Sequence, residues 1–148
     1  MRPRHFEDFA VGQVFEFGDA TVTEAEIVEF ARRYDPQPFH VDAEAAADGP
    51  FDGLIASGWH TASIFMRMYV DAVLADTVGM GSPGVEEVRW LVPVRPGDTL
   101  RGRATILEAT PSAKRADRGT IRARFETLNQ RDEIVMRMLA RGLFGRRP

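Results

Sequence analysis

The sequence predicts an α+β domain in which a strongly curved antiparallel sheet wraps around one long central helix. Three observations predict it. Residues 58–76 are apolar on nearly every side of a helix. From residue 88 onward the hydrophobic period switches from helical to two. The alternating runs that follow are separated by short turns, as in an antiparallel meander. A helix with almost no polar face needs cover on most sides, and in one domain a bent sheet is the natural cover. The chain has 148 residues, enough for one real core, and no repeat, linker or low-complexity tract divides it. It therefore reads as a single domain over 1–148.

Phe6, Phe9, Val11, Val14, Phe15 and Phe17 predict an entry strand across residues 6–18, with a turn at Gly12. Thr23 and Glu26 have the spacing of a capping box, each side chain satisfying an amide of the first helical turn. Ile27, Phe30, Ala31 and Tyr34 then recur on one helical face. The helix should stop at Asp35, because the residue before Pro36 is pushed out of the helical region. Pro38 is expected to keep the next residues extended. Asp42 can cap a short helix over Ala43–Ala47, ended by Gly49-Pro50, with a turn at Asp52-Gly53. After Leu54-Ile55-Ala56, Ser57 is the expected N-cap of the long helix. Gly79–Gly84 reads as a connector. Four strands should follow: 88–94, then 100–106 after the Arg95–Asp98 turn, then 121–127 and 134–140.

Composition excludes several classes. The formal net charge of −3 gives no bulk electrostatic case for nucleic acid. Arginine is concentrated after Arg89; solvated strand faces account for this more simply than an anionic ligand does. There is no cysteine, so thiol nucleophiles, thiolate metal sites and disulfides are out, as befits a reducing compartment. Arg67 and Asp71 interrupt the best apolar run, so no membrane span is expected. The N-terminus lacks the apolar run of a signal peptide, which makes cytoplasmic localisation the expectation.

The chemistry concentrates in two places. Asp35 and His40 sit five residues apart on a turning segment, where both can reach one bound water. A carboxylate beside an imidazole is a workable acid–base pair at neutral pH. The plain alternative is that Asp35 caps a helix end and His40 is an ordinary satisfied polar residue. The second place is Ser57-Gly58, where a helix start offers unpaired amides and positive potential to a developing oxyanion. Its plain alternative is an ordinary N-cap. Glycine there would let a ligand approach the backbone. His60 can join either place or simply lie on the first turn. A metal site built from Asp35, His40, Asp42 and His60 matches no ligand spacing, so no metal is expected. Ser57 and Ser63 lack a nucleophile elbow. Gly79–Gly84 lacks the spacing of a phosphate loop. Met66, Met68, Met136 and Met138 read as core filler.

Taken together, the capped helix, Asp35-Pro36-Gln37-Pro38-Phe39-His40, Ile55-Ala56-Ser57-Gly58 and the long helix resemble the MaoC-like acyl dehydratases. These hot-dog-fold proteins include the (R)-specific enoyl-CoA hydratases. Arg89–Asp98 also resembles the family's strand and turn. Gln37 stands where the family motif has asparagine. The resemblance implies a hot-dog domain, a homodimer or assembly of dimers joined edge to edge, and a thioester substrate on coenzyme A or acyl carrier protein. It implies a role in fatty acid metabolism, with no cofactor beyond the substrate's carrier. It further implies that Asp35 and His40 act as acid and base through one water, with Ser57 and His60 as possible supports. The Gly58 amide would polarise the thioester carbonyl. A hot-dog thioesterase, or an acyl-thioester-binding subunit without turnover, are the alternatives.

Overall fold

In the computed structural model, which describes residues 2–148, the first regular element is a short 3-10 turn at Phe6–Asp8. The expected entry strand is therefore shorter and later than residues 6–18. A tight turn, in which the Gln13 amide donates to the Ala10 carbonyl, separates the buried Phe6 and Phe9 from strand β1, Val14–Thr21. Helix α1 spans Glu24–Tyr34 and stops before Asp35, as Pro36 requires. Its cap is only half the expected box. Thr23 Oγ1 accepts from the Glu26 amide, but the Glu26 carboxylate takes the Thr23 hydroxyl and not its backbone N–H. Ile27 and Ala31 are buried, while Tyr34 is exposed.

The chain does not stay extended after Pro38. Pro38–Val41 forms one helical turn, α2, with Pro38 at its start. The first position of a helix needs no amide donor, and the proline φ is already helical there. Asp42 then caps α3, Ala43–Ala47, accepting from the amides of Glu44 and Ala45. Helix α4 spans Gly58–Ala72 and gives way to a 3-10 turn at Leu74–Asp76. No helix among the described residues is long and apolar enough to cross a membrane.

Strands β2 (Gly84–Trp90), β3 (Thr99–Pro111), β4 (Arg118–Leu128) and β5 (Ile134–Gly145) complete one sheet. Its order is β1-β3-β4-β5-β2, and every pairing is antiparallel. Only β3-β4-β5 is a meander. The Arg95–Asp98 turn does not join a hairpin: β2 pairs with β5 at the far edge, and Leu91–Asp98 crosses back to β3. Pro93 and Pro96 deny that segment a regular ladder. Val94 is buried along it, its carbonyl accepts from the Ala56 amide, and the turn is held by Val22 and by the Gln130 side chain on Asp98.

Alternation in β3 and β4 sends Leu100, Ala104, Ile106, Ile121, Ala123 and Phe125 inward and arginines outward. The outer arginines meet carboxylates, with Glu86 holding Arg122 at 3.0 Å and Arg141 at 3.1 Å, and Glu126 holding Arg103 at 3.1 Å. Helix α4 lies across the inner face over β1 and β3, and its Phe65 and Tyr69 reach Phe125 of β4. Phe65 is its anchor, packed against Phe17, Tyr69 and Phe125. The helix is not covered all round. Trp59 and Met66 are exposed on the flank toward β2 and β5, where an apolar cavity of about 370 Å³ opens between Met66, Tyr69, Phe125 and Met138.

Phe65→Ala removes that anchor from a fully buried position. It should destabilise the fold by about 3–5 kcal/mol. Urea denaturation should show a lower midpoint at an unchanged slope; a midpoint like that of the wild type would contradict the packing described.

Candidate active site

Asp35 lies just beyond α1, where Pro36 has turned the chain out of the helix. His40 lies on the single turn α2, and the two side chains converge, His40 Nε2 standing 3.3 Å from Asp35 Oδ2. His40 is buried, and its Nδ1 is 2.7 Å from the Ile55 carbonyl oxygen. A carbonyl can only accept, so Nδ1 carries the hydrogen and donates. In the neutral ring this leaves the lone pair on Nε2, the nitrogen that faces Asp35. The Phe39 ring packs edge-on against the imidazole at 4.5 Å and fixes its tilt.

The carboxylate is held by two donors. Gln37 Nε2 donates to Oδ1 at 2.7 Å, and Ser57 Oγ donates to Oδ2 at 2.7 Å, the oxygen that also faces His40. Burial pushes the Asp35 pKa up. The hydrogen bonds from Gln37 and Ser57 and the charge of His40 together outweigh that, and hold it below the usual value.

Ser57 also begins α4. Its hydroxyl oxygen accepts from the Trp59 amide at 3.3 Å, and its carbonyl accepts from the amides of His60 at 3.0 Å and Thr61 at 3.1 Å. Of the four amides a helix start leaves over, those of Ser57, Gly58, Trp59 and His60, that accounts for two, while Thr61 makes the first regular helical bond. Nothing among the described residues accepts the N–H of Ser57 or of Gly58, and of these two residues Gly58 is the one that lines the cavity. Gly58 lines the same cavity, of about 440 Å³, as Asp35 and His40, together with Trp59, Trp90 and Val94. The site therefore presents a carboxylate, an imidazole and one free amide to one space. The structure gives a further reason for glycine here, beside the expected access for a ligand. A Cβ on Gly58 would run into the indole of Trp90, with Cδ2 and Nε1 at 2.6 Å.

His60 does not join the site. It turns toward α1 and stacks on Phe30, with ring centroids 4.8 Å apart at 10°. Its Nδ1 is buried without a hydrogen-bond partner among the described residues. Burial lowers its pKa against the opposing charge of Glu26. Asp42 serves only as the cap of α3. No group of three or more potential metal ligands occurs among the described residues. Two contributors were not in the expected set. The Ile55 carbonyl is a backbone group and leaves no side-chain signature. Trp90 was visible only as one more apolar member of a strand.

The family model described as the MaoC like domain matches residues 7–126. The Bacillus subtilis protein YdeM is 32% identical over 130 residues, covering 87% of this chain and 90% of that protein. A 3-hydroxybutyryl-CoA dehydratase of Methylorubrum extorquens is 30% identical over 119 residues, covering 78% of this chain and 72% of that protein. The crystal structure of a MaoC-like dehydratase from Rhodospirillum rubrum has a TM-score of 0.88 at 44% identity, covering 98% of this chain and 99% of that one. The chain belongs to the MaoC-like family, which includes hydratases and dehydratases, and has its hot-dog fold.

A carboxyl whose pKa is lowered by folding stabilises the fold above the ordinary carboxylate value of about 3.9, and that contribution is lost as pH falls through the lower folded value. In Ser57→Ala one of the donors that lowers the Asp35 pKa is gone. The Asp35 pKa should rise toward the ordinary value, and the pH-dependent part of the stability should shrink. A carboxyl-carbon NMR titration of both proteins checks this; an unmoved midpoint would show that Ser57 does not charge-stabilise Asp35.

Proposed function

We propose that the chain is a hydro-lyase that adds or removes water across the 2,3-bond of an acyl thioester carried on coenzyme A or acyl carrier protein. The observation that carries this reading is the convergence of Asp35, His40 and the free Gly58 amide on one cavity. Membership of a family that includes hydratases and dehydratases supports it, and so does the name of the Methylorubrum relative.

In hydration, the thioester oxygen accepts from the Gly58 N–H. A water lying in the cavity beside Asp35 Oδ2 and His40 Nε2 attacks the β-carbon. Its proton passes to the pair through Nε2, where the ionised Asp35 stabilises the imidazolium. The same proton is returned at the α-carbon. One C–O and one C–H bond form, the C=C π bond is lost, and no net proton is exchanged. Between the steps negative charge builds on the thioester oxygen, so a fixed amide there acts on the transition state more than on the ground state. Dehydration runs the same path backwards.

The apolar cavity between α4 and the sheet starts one turn further along the helix from Gly58 and offers its space to the acyl chain. The exposed Trp59, Met66, Val85, Trp90 and Leu91, with the open edge of β2, form a face for a second copy of the chain. A homodimer joined along β2 is the assembly proposed.

Asp35→Asn and His40→Ala should each lower kcat roughly 100- to 10,000-fold while leaving the fold intact. The assay is a panel of 2-enoyl thioesters of different length and branching, followed by loss of the conjugated ultraviolet absorbance and, in parallel, by release of free thiol. Absorbance loss without thiol marks the hydro-lyase, whereas thiol release marks a thioesterase. Tight binding with neither signal marks a subunit without turnover, and full activity in both variants removes Asp35 and His40 from the chemistry.

A further inference from the structure

Trp90 ends β2, the edge strand, and makes an unusual contact with the start of α4. Its indole Nε1–H donates to the Gly58 carbonyl at 2.8 Å. The ring fills the space a side chain at position 58 would need. Trp59 meets the same ring edge to face, with centroids 5.0 Å apart at 78°. The strand end is fixed behind it, because the Leu91 amide donates to the Val135 carbonyl at 2.8 Å.

Gly58 does not lie in the left-handed region, so its backbone conformation does not call for glycine. The indole does. The amides that follow Gly58 are spoken for, since the Ser57 carbonyl and hydroxyl take those of Trp59, His60 and Thr61. Trp90 thus engages the carbonyl of the residue whose unbonded N–H lies at the cavity. A carbonyl and an amide of one residue cannot reorient independently in a helix, so a donor on the first constrains the second.

We propose that Trp90 is a positioning residue: its indole clamps Gly58 so that the free amide stays turned to the space beside Asp35 and His40, and glycine is required at 58 by the tryptophan and not by the substrate. This rests on the hydro-lyase reading for its effect on rate. Trp90 itself touches no reacting atom.

Trp90→Phe keeps a ring and loses the donor. It should lower kcat about tenfold and leave KM within about twofold, because the amide acts mainly on the oxygen's developing charge. Circular dichroism and the melting temperature should stay close to wild type. A double-mutant cycle separates the two reasons for glycine. Gly58→Ala should lower kcat/KM roughly 100-fold when Trp90 is present, and less than about threefold when it is introduced into Trp90→Leu. A wild-type kcat in Trp90→Phe, or an equal penalty for Gly58→Ala in both backgrounds, overturns the proposal. If Trp90→Leu fails to fold, Trp90→Phe decides it alone. Should the wild type turn over no thioester, the functional reading fails. The Gly58 amide resonance then still tests the clamp: displaced in Trp90→Phe it supports it, and unmoved it overturns it.

Discussion

The site depends on one hydroxyl. Ser57 Oγ donates its hydrogen to Asp35 and accepts the Trp59 amide. The same atom therefore caps α4 and orients the carboxylate that follows α1. A serine N-cap is an ordinary way to start a helix. Here the side chain is fully buried, so its hydrogen has to find an acceptor inside the protein. Asp35 is that acceptor. Two helices distant in sequence are thereby set at a fixed distance, and Gly58 comes into the cavity that Asp35 and His40 also line. Helix, cap and carboxylate cannot be adjusted separately.

Much of this was legible in the sequence because short-range rules govern it. The stop at Asp35 follows from Pro36, the start at Ser57 from capping chemistry, and the inner faces of β3 and β4 from alternation. What could not be read is where long-range pairing decides. The alternation of β2 is the same whether it pairs with β3 or with β5, so a hairpin at Arg95–Asp98 was the natural expectation. The structure places β2 at the opposite edge, with a proline-bearing crossover between. The turn at Pro38 illustrates the other limit. Proline at the first position of a helix and proline in an extended run share one φ, and the sequence does not choose between them. The choice matters, since the helical turn lifts His40 toward Asp35 and the Ile55 carbonyl.

At Gly58 the structure adds a reason for glycine that the sequence does not show. A glycine at a helix start invites the idea of close ligand approach. The structure gives the missing side chain's space to Trp90. Both tryptophans of the chain meet at this point, although they lie on different elements and 31 positions separate them in the numbering of Trp59 and Trp90. A side-chain requirement imposed by an aromatic ring from another strand leaves no local pattern. That is why the fold and the approach of His40 to Asp35 were accessible from sequence, and the place of the Trp90 indole against Gly58 was not.

Gln37 bears on the same economy of positions. Its amide reaches back two residues to Asp35 Oδ1, while Ser57 holds Oδ2. With both oxygens tethered, the carboxylate cannot rotate about its own axis, and Oδ2 alone faces His40. The longer side chain at the position of the family asparagine thus still supplies an amide donor to the aspartate, and Pro36 between them shortens the set of backbone shapes it must span. Ionisation of Asp35 is favoured by the same two donors that fix its direction, with the charge of His40 adding to them. The carboxylate that stands 3.3 Å from His40 Nε2 is therefore fixed in direction by the same contacts that favour its charge.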